Sequence, residues 1–129
     1  MKPLQIISAD SLGGLIAGIA TLLIYPLLAD LHNWSEALVL FMAIVNIAYG
    51  CYSGILFLLY RKDPSSLEPM VITLIIANSA WAGFCFTQLW WIGSDSFWTG
   101  SGHLILEGIF VAALAFIEAM IVLPSVHKS

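Results

Sequence analysis

The chain is 129 residues long, 60% hydrophobic and 9% charged, with a net charge of -4 and a mean hydropathy of +0.97, against a charged share of about 25% in soluble domains. That composition excludes a water-soluble domain and predicts an all-α, integral membrane protein with the lipid bilayer as its first partner. No basic run, Lys/Arg cluster or Gly-rich phosphate loop occurs, which excludes nucleic acid as a partner.

Four apolar stretches, at about 4–28, 35–60, 67–92 and 102–123, each exceed the roughly 20 helical residues that cross ~30 Å of hydrocarbon. They predict one transmembrane domain, a four-helix bundle running up, down, up and down. The first stretch is too long for a signal peptide and is followed by no small-x-small cleavage site, so it is expected to stay attached. It holds Asp10 and the small-residue pair Gly14-xxx-Gly18. Near its end, Pro26 lacks an amide donor and frees the carbonyl of Leu22, which must find a partner or line a cavity.

The break "DLHNWSE" offers Asn33 and Ser35 as N-caps for the second span. That span carries Asn46, Tyr49 and Ser53 on one face and Gly50-xxx-Gly54 at a depth similar to the glycines of the first span, so these two spans are expected to pack tightly. "RKDPSSLEP" supplies a proline stop and a capping box, Ser65-x-x-Glu68. The third span sets Asn78, Trp81, Cys85 and Gln88 at i, i+3, i+7 and i+10, and its Asn78-x-Ala80-Trp81 echoes Asn46-x-Ala48-Tyr49 as a weak inverted repeat. Cys51 and Cys85 form no CxxC pair and read as small buried residues. After the Gly/Ser turn "GSDSFWTGSG", the fourth span carries His103, Glu107 and Glu118 within ~40° of one another on a helical wheel.

Lys2, Arg61, Lys62 and Lys128 fall at the termini and the middle loop, which share one side. Both termini are therefore expected to be cytoplasmic in a multi-pass protein of the cell membrane, with Trp34, Trp90, Trp91 and Trp98 forming an aromatic belt on the other side.

Ionisable groups in hydrocarbon cost on the order of 3 kcal/mol each, so they are expected to face protein or a water-filled cavity. Depth sorts them into layers. Asp10 and Glu118 lie ~9 Å from the cytoplasmic ends of their helices, and if they meet they would share a single proton. Asn46, Asn78, Tyr49 and Trp81 fall near the middle. His103, Glu107, Gln88 and Tyr25 lie toward the outer side, with Thr21 a further polar candidate on the first span. His103 beside Glu107 suits a charge-assisted hydrogen bond or part of a metal site, but no third ligand is evident and no metal is expected. His32 and His127 are placed in loops and given no role. A single interior histidine then rules out bis-histidine haem ligation within one chain, and no Ser-His-Asp arrangement is readable. No cofactor is identified.

Three functions fit this polar seam. It would bind a small ligand, proton or cation for transport or sensing, and a homodimer is then expected because four helices make a thin path. It would serve an enzyme acting on a lipophilic substrate, with Glu107 or His103 moving a proton and Asn78 or Trp81 orienting the substrate. Or the chain would be an accessory subunit that presents its glycine faces to a larger complex. In size and span number the chain is similar to small multidrug-resistance transporters, and His103, Glu107, Asn78 and Trp81 together resemble the interior set of four-helix sterol-isomerase-type domains. No contiguous motif of either family occurs, and neither assigns a role to any residue.

Overall fold

Pro26 decides the shape of the first span. Its ring excludes a helical carbonyl at Leu22 and it brings no N–H of its own, and in the computed structural model, which describes residues 1–127, the helix stops there. Helix α1 (Pro3–Leu23) ends at Ile24, and α2 (Tyr25–His32) restarts at the proline. The single helix expected over 4–28 is thus two, and the second carries His32 into the fold instead of leaving it in a loop.

Asn33, expected as an N-cap, instead closes α2 as its C-cap in the left-handed region at φ 57°, a conformation asparagine tolerates better than most residues. Its side chain donates to the carbonyl of Asp95 at 2.7 Å. Ser35 does cap α3 (Glu36–Lys62), accepting from the Leu38 amide at 3.2 Å. At the other end of α3 the expected box of Ser65 and Glu68 does not form. Leu67 is the N-cap residue of α4 (Glu68–Ile92), without a side-chain bond, and Ser65 turns back so that its amide donates to Asp63 Oδ1 at 2.9 Å. Bonds from Ser65 hold the exposed Asp63 carboxyl below its ordinary range.

The last span starts earlier and ends later than expected. α5 (Trp98–Ile117), a π-helical turn (Glu118–Val122) and α6 (Leu123–His127) run on as one helix, Trp98–His127. The π turn is closed by the Leu123 amide on the carbonyl of Glu118, five residues back, which widens the helix where Glu118 enters the interior. Four helices, Pro3–Leu23, Glu36–Lys62, Glu68–Ile92 and Trp98–His127, are long and apolar enough to cross a membrane, and no strand occurs among the described residues. Lys128, used above for sidedness, lies outside the described residues.

The helices associate as two pairs. In the first, α1 lies along α3 with backbone against backbone: a Cβ on Gly14 would come within 2.8 Å of the Asn46 carbonyl, and one on Gly50 within 2.7 Å of the Leu15 amide. Ser11 fastens the crossing by donating to the Gly50 carbonyl at 2.8 Å. This is the close approach that the two small-xxx-small motifs imply. In the second pair, α4 lies along the helix that begins at Trp98.

Between the pairs contact is sparse, even between the consecutive helices α3 and α4. Tyr49 and Tyr52 hold those two apart and stitch them together at once, donating their hydroxyls to the carbonyls of Ala77 and Met70. Apolar packing gathers into one cluster around Ile6, Leu56, Leu74 and Val122 and another around Val39, Met42, Cys85 and Leu104. Polar side chains occupy the seam between the pairs.

Candidate functional site

Glu107 is the focus of the first polar cluster. Its Oε1 accepts from Asn46 Nδ2 and from Trp81 Nε1, each at 2.9 Å, and its Oε2 lies 2.9 Å from His103 Nε2. Three helices contribute to this arrangement: α3 brings Asn46, α4 brings Trp81, and α5 brings Glu107 with its i,i+4 neighbour His103. The Trp81 ring is held in place by stacking on Phe84, 4.7 Å between centroids and 12° from parallel, so its N–H is aimed before any ligand arrives.

A second histidine extends the cluster. His32, only 5% exposed at the end of α2, places Nε2 3.1 Å from His103 Nδ1. Its Nδ1 lies 3.1 Å from the Thr99 hydroxyl, which donates to the Leu31 carbonyl at 2.8 Å. Burial, and then the neighbouring His103, push the His32 imidazole below its ordinary value. Trp34 walls both rings, with centroids 4.6 Å from His32 and 5.4 Å from His103. It is buried and bonded to Ser96, and so does not join the belt expected of it, whereas Trp90, Trp91 and Trp98 stand exposed at the perimeter.

Asp10, Asn78 and Glu118 form the second cluster, toward the opposite ends of the helices. The amide of Asn78 donates to Asp10 Oδ2 at 2.6 Å and to Glu118 Oε2 at 3.0 Å, and the Ser53 hydroxyl lies 2.7 Å from Asp10 Oδ1. Asp10, Asn78 and Glu118 are all at most 4% exposed, and the carboxyls of Asp10 and Glu118 lie within hydrogen-bonding reach of each other. The two acids share one neutral amide, and among the described residues no lysine, arginine or histidine bonds to either.

A cavity of about 330 Å³ runs between the helix pairs and touches both clusters, with Asp10 and Asn78 at one end and Asn46, Trp81, His103 and Glu107 at the other. Its remaining wall is largely apolar. Ala17, Leu106 and Phe110, which line it, are exposed on the outside of the bundle, so the cavity opens sideways between α1 and α5. Its size and its few convergent polar groups are those of a small-molecule pocket.

Of the residues singled out in sequence, Asp10, Asn46, Tyr49, Asn78, Trp81, His103 and Glu107 line this cavity, and Glu118 stands behind Asn78. Gln88 is half-buried and lies off it. It shares the face of Trp81 but stands about 10 Å further along the helix, beyond the end of the cavity. Thr21 and Tyr25 also lie off the cavity, and Cys51 is exposed on α3 while Cys85 is buried.

His32 is the residue that sequence reasoning missed. The signal was Pro26, a proline able to restart a helix at its own first turn. The premise of a single interior histidine therefore fails. The two histidines bond to each other, however, and among the described residues no group of three or more His, Cys, Asp or Glu side chains could hold a metal. His127 also ends a helix, paired at 3.1 Å with Glu68 in an exposed contact worth little. No family model, curated protein or solved structure matches the chain.

Proposed function

We propose that this is a multi-pass membrane protein whose interior binds a small, mainly apolar molecule carrying one polar head, admitted sideways from the bilayer. The observation that carries the proposal is the laterally open cavity, apolar along its walls, with the buried Asp10 at one end and the part-buried Glu107 at the other. An apolar ligand moving from lipid into such a cavity gains no hydrophobic energy, so recognition would rest on shape and on the head group reaching Glu107, His103 or Asp10. With the termini on the cytoplasmic side, Glu107 would lie toward the outer leaflet.

The same opening favours a second reading, an enzyme in which the His103–Glu107 pair protonates or deprotonates a lipophilic substrate. An accessory-subunit role draws less support, because the backbone approach at Gly14, Gly18 and Gly50 is taken up inside the bundle.

The test is photolabelling of the purified protein in lipid nanodiscs with an alkyl alcohol bearing a diazirine. Labels should concentrate on Leu106 and Phe110 and be lost in Ala17→Trp, where an indole at the exposed rim blocks the mouth. Labels spread over the apolar perimeter and unchanged by Ala17→Trp would overturn the proposal.

A further inference from the structure

The cavity has hydrogen-bond acceptors to offer a ligand and no donors. The lining side chains that carry an N–H or O–H group are Asn46, Tyr49, Asn78, Trp81 and His103. Asn46 Nδ2 donates to the Met42 carbonyl at 3.0 Å and to Glu107 Oε1 at 2.9 Å, and Asn78 Nδ2 donates to Asp10 Oδ2 at 2.6 Å and to Glu118 Oε2 at 3.0 Å. A carboxamide nitrogen has two hydrogens, so both are spent in each residue. The Trp81 N–H goes to Glu107, the Tyr49 hydroxyl to the Ala77 carbonyl, and the two ring nitrogens of His103 face His32 and Glu107.

Two acceptors are left over. Among the described residues nothing donates to Oδ1 of Asn46 or to Oδ1 of Asn78. Turning either amide over gives no relief, because its oxygen would then oppose a carbonyl and a carboxyl at Asn46 and two carboxyls at Asn78. The partners thus fix both orientations. Neither oxygen is sealed off, and the open space that both residues border is the cavity, although Asn78 is only 1% exposed. An interior carbonyl without a donor is destabilising, and native proteins answer such groups with water or with a ligand. Here the mouth opens sideways between α1 and α5, so the bilayer is the nearer source.

We infer that the cavity selects an uncharged lipophile whose head group bears two hydroxyls, one donating to Asn46 Oδ1 and the other to Asn78 Oδ1. The inference deepens the proposed function and rests on the cavity being the ligand site. Glu107 already accepts two N–H bonds on Oε1 and faces His103 with Oε2, so the head group meets the acids through the asparagines that bind them. Asn78 precedes Trp81 by about 5 Å along α4, and Trp81 shares Glu107 Oε1 with Asn46. The two oxygens therefore stand about one helical turn apart along the bundle, a spacing suited to the hydroxyls of a glyceryl head. Ketone, ester and ether heads bring acceptors only and leave both oxygens unanswered.

The test compares 1-O-dodecylglycerol with its difluoro analogue, in which a fluorine of similar size replaces each hydroxyl and donates nothing. Both compete, at known mole fraction of the nanodisc lipid, against the diazirine alcohol on the wild-type chain. The glyceryl ether should displace the label at a mole fraction at least about tenfold lower than the analogue requires, as the loss of two hydrogen bonds implies. A second readout needs no variant of the cavity. Asn33, Asn46 and Asn78 are the only asparagines in the chain, so carbon-13 labelling of the side-chain carbonyl gives three NMR signals, with Asn33 assigned through Asn33→Gly in the outer turn. The glyceryl ether should move the other two and leave Asn33 in place, and the analogue should move none.

Displacement by both compounds at the same mole fraction, with no asparagine signal moved, overturns the hydroxyl assignment and leaves the ligand site standing, its two oxygens answered by water. Failure of the unlabelled alcohol to displace its own label overturns the ligand site and the inference with it. Preferential displacement by the glyceryl ether that moves only one of the two interior asparagine signals overturns the two-point contact.

Discussion

The two polar clusters begin from the same material, buried acids beside an asparagine, and arrive at opposite chemistry. Glu107 has a base within reach, two further N–H donors and a cavity in front of it. Asp10 and Glu118 have a shared amide, a serine and each other and, among the described residues, no base bonded to either. Where a base is adjacent, an acid can ionise without net charge. Where none is, two carboxylates in an apolar interior cannot both ionise, and the pair must keep at least one proton on oxygen. The first cluster sets an acid against a base at one end of the cavity, and the second joins the helix pairs at the other.

That contrast is open to attack by substitution, beginning with the change expected to cost most. Asn78→Leu strips both inner acids of their common donor. The loss should be about 3 kcal/mol or more, read from unfolding in mixed micelles, because breaking a buried network leaves its remaining members unpaired. A near-neutral result would mean that the inner acids have other partners. Glu107→Gln replaces a charge-assisted bond to His103 with a neutral one and should cost about 2 kcal/mol. Trp81→Phe keeps the ring that stacks on Phe84 but deletes one donor to Glu107, at about 1.5 kcal/mol. Glu118→Gln should cost least, under about 1 kcal/mol, since the amide oxygen can accept from Asn78 in the carboxyl's place. Equal penalties for the two Glu→Gln exchanges would erase the distinction between the clusters.

Much of this frame was legible in the residues. Glycines at positions 14, 18 and 50 marked the tightest crossing because only hydrogen fits where two backbones meet, while Gly54 lies against the Ser11 side chain. The i,i+4 spacing fixed His103 beside Glu107 whatever the tertiary structure, and equal depth brought Asp10 and Glu118 to one amide. Axial extent and local register were harder to read. Gln88 shares the face of Trp81 but lies about 10 Å further along the helix, past the cavity, and the π turn at Glu118 shifted the register in a way no apolar pattern marks.

The helix ends were hardest. Asn33 and Ser65 are equally at home as caps and as turn residues, and Trp34 was assigned to an interface by its type although a histidine pair lay within reach. Counting apolar residues finds a helix long and apolar enough to cross a membrane. It does not find a short helix that resumes after a proline, and that is where His32 was hidden.

The account stands or falls on where the buried protons sit, and infrared difference spectroscopy of the protein in nanodiscs at neutral pH reads this directly. The C=O stretch of a protonated carboxyl should be present in the wild type, unchanged in Glu107→Gln, and removed when Asp10→Asn and Glu118→Gln are combined. A band that vanishes with Glu107→Gln, or a wild type with no such band, would contradict it.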